Sequence, residues 1–154
     1  MNKEISRNIP AEKSVLQIHP VVFDKLSFER IGNRAEGSKI HLEINQRIKK
    51  NDESHYTTTI LVKATKEKEF VATVQISGEC TVNEKDPNKD KLVKENAFAI
   101  LFPYVRSELT LLTAQPETDP IVFPVMNIQA MMERAEQTEQ DKDDDKELNM
   151  SSDK

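Results

Sequence analysis

From Val21 onward, apolar and polar positions alternate with a period of two between short turn signals, and past Lys94 the period becomes helical. Val22, Leu26 and Phe28 interleave with Asp24, Ser27 and Glu29, and Gly32, Asn33 and Gly37 supply the turn chemistry behind them. Ile40, Leu42 and Ile44 then alternate with His41, Glu43 and Asn45 as far as a turn at Asn51 and Asp52. A third run, Tyr56 to Lys66, is dense in Thr, Ile and Val, whose branched Cβ favours pleated backbone. In the fourth, Phe70, Ala72, Val74 and Ile76 share one face, and Gly78 is expected to mark a bulge. The links are too short for parallel crossovers, so the four strands are expected to pair antiparallel, as a meander or Greek key.

One face of that sheet needs a cover. Lys85 to Lys94 reads as a charged connector, after which Leu101, Val105, Leu109 and Leu112 recur at helical spacing, with Arg106, Thr110 and Thr113 on the other side. Proline inside a helix removes a hydrogen bond and costs about 3 kcal/mol, but little in the first turn. The helix is therefore expected from near Ile100, with Pro103 in its first turn, to Gln115. An extended crossing, Pro116 to Pro124, leads to a second helix capped by Asn127, with Ile128, Met131, Met132 and Ala135 on one face. The expected class is thus α+β, a four-stranded antiparallel sheet followed by two C-terminal helices. The flanks, residues 1–18 and 141–154, read as a flexible arm and a disordered acidic tail around one domain at 19–140.

Composition narrows the function classes. The chain has 154 residues, 32% of them charged and 36% hydrophobic, which makes for a thin core with help expected from oligomer contacts. The net charge of -5 resides in the tail, and no basic footprint suits nucleic acid. Neither a signal-peptide pattern nor a long apolar run is visible, and Cys80 stands alone, so a soluble, reducing, cytoplasmic setting is expected. His19, His41 and His55 lack metal-ligand spacing, and Glu79 beside Cys80 disfavours a thiolate nucleophile. Three glycines offer no phosphate-cradling loop. No catalytic, cofactor or metal residue is expected. Met126, Met131 and Met132 beside Phe123 instead offer the adaptable contacts of a promiscuous binding surface, or an ordinary helix core.

Leu101-Phe102-Pro103-Tyr104 with Arg106, then Pro124, Asn127 and Ile128, resembles the C-terminal half of the SecB family of bacterial export chaperones. Leu26-Ser27-Phe28-Glu29 resembles that family's first strand, and the resemblance covers about Val21 to Gln140. It implies a cytoplasmic, ATP-independent holdase, a homotetramer built as a dimer of dimers, that binds non-native polypeptides and passes export-bound precursors to the motor SecA. Carried over, the client groove would comprise Leu42, Ile44, Phe98, Phe102, Ile121, Phe123, Met126 and Met131. Leu101, Val105, Leu109 and Leu112 are expected at the oligomer interface. Lys25, Glu29 and Thr73 stand where the family's motor-docking face is acidic, and only Glu29 keeps the charge. The crossing at Gln115 to Pro120 also lacks the family's common glycine. A divergent member follows, with a chaperone dedicated to one partner, such as an antitoxin, as the alternative and a small enzyme as a distant third.

Overall fold

A computed structural model describes residues 16–123 and Ala130. Its elements are β1 (Leu16–Arg30), β2 (Ile40–Lys50), β3 (His55–Lys66), β4 (Phe70–Val82) and α1 (Lys89–Thr113). The strands form one antiparallel sheet in the order β1-β4-β3-β2. Strands β2 to β4 follow one another as hairpins and β1 returns beside β4, which resolves the topology as a Greek key. The class is therefore α+β as expected, with one helix among the described residues. Of the second expected helix, from Asn127, only Ala130 is among them, in helical conformation; the tail and residues 1–15 lie outside them.

Three boundaries differ from the sequence reading. Strand β1 starts at Leu16, inside the span read as a mobile arm, because Leu16 is buried with Val82, Tyr56 and Val93 in a second core cluster. Gly78 is no bulge. It pairs in register with Thr58, and the register shift lies opposite it in β1, between Ile18 and Val21. A Cβ at Gly78 would stand 2.7 Å from Ile18 Cγ2 and 3.4 Å from Leu101 Cδ2, so the glycine lets helix and edge strand approach the sheet.

The largest difference is α1, which begins at Lys89 rather than near Ile100 and runs for 25 residues. Its charged first turns carry Val93 and Ala97 on the same stripe as Leu101, Val105, Leu109 and Thr113, all spaced by four and all buried. A carboxylate of Asp90 accepts the Tyr56 hydroxyl at 2.6 Å, and Lys89 Nζ pairs with Glu53 at 2.6 Å, so tertiary contacts fix the N-terminal end. Pro103 consequently lies in mid-helix. It is tolerated because it stands on the solvent side, where the Ala99 carbonyl that its missing N–H would have bonded is on an exposed residue open to solvent.

Candidate functional site

Register decides which side chains face the helix. Phe70, Ala72, Val74 and Ile76 of β4 and Ile60, Val62 and Ala64 of β3 form the central core beneath α1. The edge strands extend this face past the helix. On β2, Ile40 and Leu42 pair with Lys66 and Ala64, yet are 45% and 40% exposed, while Ile44 packs partly on the core. On β1, Phe23 and Leu26 share the helix-side face and are exposed in turn. The sheet is wider than the helix that covers it.

Beside β2 the cover is completed by the segment after α1. Ile121 and Phe123 are buried, and Phe102 lies between Phe98, stacked with its ring centroid 5.2 Å away, and Phe123, edge-on at 5.7 Å. Phe98, Phe102, Ile121 and Phe123 are thus brought together as expected, but as a filled cluster rather than an open groove. Of the expected groove residues, Leu42 is exposed and Ile44 is partly buried against the core, and Met126 and Met131 lie outside the described residues. The expected oligomer positions also need correction. Leu101, Val105 and Leu109 are fully buried against the chain's own sheet and Leu112 is half-buried. The outward stripe of α1 is Ile100, Tyr104 and Leu111, with Leu111 66% exposed.

Several residues that pattern did not single out hold the crossing segment. Thr113, read as solvent-facing, is buried; its Oγ1 donates to the Leu109 carbonyl and accepts the Ile121 N–H at 2.8 Å. Thr110 Oγ1 donates to the Ile121 carbonyl at 2.8 Å. Arg30 donates to the Pro116 carbonyl and Thr118 Oγ1, both at 2.7 Å, and Arg34 pairs with Asp119 at 2.6 Å. Only the Ile-Val-Phe alternation after Pro120 hinted at this seat. Upstream, Glu117 sits at φ 58°, in the turn that the Thr118 N–H closes onto the Gln115 carbonyl. It takes up the left-handed conformation that a glycine would hold without strain.

Lys66 ties this end of the sheet together, with Nζ 3.1 Å from Glu69 and 3.8 Å from Asp119. Burial is the strongest single influence on Glu69 and pushes its carboxyl pKa up. The nearby Ser38 hydroxyl, the Lys66 ammonium 3.1 Å away and the Ala35 backbone outweigh it and hold the group below the usual carboxylate range, although neither buried oxygen has a hydrogen-bond partner among the described residues. The Cys80 thiol is pushed up to about 11 by burial and then by Glu79, which suits a structural role. Lys25, Glu29 and Thr73 share the face away from the helix, where Lys25 pairs with Gln75, Ser27 with Thr73 and Glu29 with Val71. Among the described residues no three His, Cys, Asp or Glu side chains group as metal ligands, and no helix is long and apolar enough to cross a membrane.

A twisted antiparallel sheet with one long helix on one face, leaving apolar residues of both edge strands open, defines an α+β protein built around apolar contact surfaces. Residues 10–139 match the SecB family, preprotein translocase subunit SecB. The chain belongs to this chaperone family. An uncharacterised protein of Methanocaldococcus jannaschii is 31% identical over 113 residues, covering 67% of this chain and 73% of that one. Among solved structures, the Mycobacterium tuberculosis SecB-like chaperone Rv1957, in complex with a ChAD peptide from the HigA1 antitoxin, superposes with a TM-score of 0.60. That pair is 13% identical, with coverage of 73% of this chain and 88% of that one. A Streptococcus agalactiae protein of unknown function aligns with a TM-score of 0.44, at 14% identity over 71% of this chain and 96% of its own.

Proposed function

We propose that the protein is an ATP-independent holdase that binds non-native polypeptides along the β2 edge and the Phe98, Phe102 and Phe123 cluster. The observation that carries this reading is the exposed Ile40 and Leu42 on the same β2 face as Ile44, which packs against the core that holds Phe98, Phe102 and Phe123. Many modest apolar contacts repeated over several subunits give avidity without sequence selectivity, and need no catalytic group. The proposed assembly is a homotetramer in the cytoplasm, formed through Ile100, Tyr104 and Leu111 on α1 with Phe23 and Leu26 on β1, rather than through the buried stripe. Substoichiometric to stoichiometric amounts should suppress aggregation of a chemically denatured model protein. No suppression at excess would overturn the reading.

Whether clients go to SecA or to a dedicated route turns on the outer sheet face. Lys25 and Thr73 flank Glu29 there, so the patch lacks the concentrated negative charge of the family's docking surface. That favours, as a second reading, a chaperone dedicated to one partner, and the antitoxin peptide bound by Rv1957 illustrates that use in a protein of similar fold. Binding of isolated SecA that is lost in Glu29→Lys would support the export role. Absence of SecA binding, with tight binding to one co-purifying partner, would support the dedicated one.

A further inference from the structure

The segment after α1 is held the way a peptide is held. Ile121 and Phe123 project into the core, while Val122 between them is 69% exposed. The Ile121 N–H and carbonyl are both engaged by hydroxyls of α1, Thr113 and Thr110. Backbone hydrogen bonds combined with pockets for alternate side chains are the mode by which proteins bind extended peptides. The hydroxyls that engage the Ile121 backbone both belong to α1, so a segment from another chain would satisfy the same atoms. Upstream, the strap is tethered by exposed contacts, chiefly Arg30 to Pro116 and Thr118, and Arg34 to Asp119. Such exposed pairs are individually weak and are screened by salt.

We infer that the strap Pro120–Phe123 is an internal occupant of the client site, displaced by an extended client segment with an aliphatic side chain at one position and an aromatic two residues on. The Asp119 latch sets how readily it leaves. This rests on the holdase reading and adds what the site recognises and what keeps it closed. Exchange of like for like explains how a cluster as buried as Phe98, Phe102 and Phe123 can serve a client without exposing the core. The strap covers it until a segment of the same pattern takes its place, as in a minor state made dominant by its ligand.

The test uses the full chain with reduced, carboxymethylated α-lactalbumin, and two labelled peptides of one composition, with Ile and Phe either two apart or adjacent. With the unfolded chain bound, the Ile121 amide should exchange at least about tenfold faster than in the free protein, while core amides of β3 and β4 keep their protection. Asp119→Asn should bind the spaced peptide about two- to fivefold tighter, the range expected for loss of an exposed pair. The adjacent peptide should bind more weakly to both proteins. Binding with undiminished protection of Ile121 and no effect of Asp119→Asn overturns the strap exchange and leaves the holdase reading standing. Equal affinity for the two peptides overturns the spacing rule. No binding of the unfolded chain by either protein overturns the holdase reading itself.

Discussion

The inward and outward faces of α1 carry comparable apolar side chains, yet they meet different surroundings. Inward, Val93, Ala97, Leu101, Val105 and Leu109 are fully buried against β4, β1 and β3. Outward, Ile100, Tyr104 and Leu111 stand in solvent, with Pro103 among them. The inward stripe builds the core, and the outward stripe is left uncovered by the described residues. A helix apolar on one face is sufficient for packing on a sheet, so a second apolar face calls for a second contact.

The sharpest way to break that comparison is a charge on each face. Leu101→Asp or Leu109→Asp places an unpaired carboxylate in the core and should cost about 4–5 kcal/mol, enough to abolish the thermal unfolding transition. Retention of a cooperative transition would show that the stripe is not the core. Leu111→Asp or Tyr104→Asp should change protomer stability by less than about 0.5 kcal/mol while reducing the native mass seen by light scattering. An unchanged mass in both variants would remove the outward face from the assembly.

Pro103→Ala sharpens the same contrast. Restoring the missing donor on the solvent side should stabilise the fold by about 1–3 kcal/mol, read as a higher denaturation midpoint. A loss of stability would mean the proline shapes the helix to the sheet. At the crossover end, Glu69 has a folded pKa below its unfolded value, so its contribution is present above the unfolded pKa. It should be lost as the pH falls through the lower, folded pKa. Stability measured from neutral to strongly acidic pH should therefore fall less steeply in Glu69→Gln than in the natural chain. The smallest effect belongs to the turn ahead of the strap, where Glu117→Gly relieves a left-handed residue at the cost of a more flexible unfolded chain. A gain of about 0.5 kcal/mol is expected in chemical denaturation.

The difference between legible and hidden features follows from what each depends on. Period-two alternation made β2, β3 and β4 readable, because a half-buried strand writes its orientation into every second residue. The start of α1 was not, since Lys89, Asp90, Lys91, Lys94 and Glu95 mask Val93 and Ala97, and the contacts that anchor that turn, such as those to Tyr56 and Glu53, are long-range. Pro103 misled for a related reason. Local propensity rejects proline in mid-helix, and long-range packing on a sheet outweighs it. Among the site residues, Phe98, Phe102 and Phe123 meet in space but are buried, because spacing shows which residues share a face and not how far the covering layer extends.

By itself, the sequence determined the antiparallel sheet with a helical layer after it, and the SecB resemblance in Leu101 to Arg106 that the family match over residues 10–139 bears out. These are properties of local order, carried by neighbouring residues. Only the tertiary structure decided that Leu101 and Leu109 belong to the protomer core, that Ile100, Tyr104 and Leu111 face outward, and that Ile121 and Phe123 fill the site beside Phe102. Those assignments depend on the width of the sheet relative to one helix and on contacts such as Thr113 to Ile121 and Arg34 to Asp119. Such contacts join residues distant along the chain, and no periodicity encodes them.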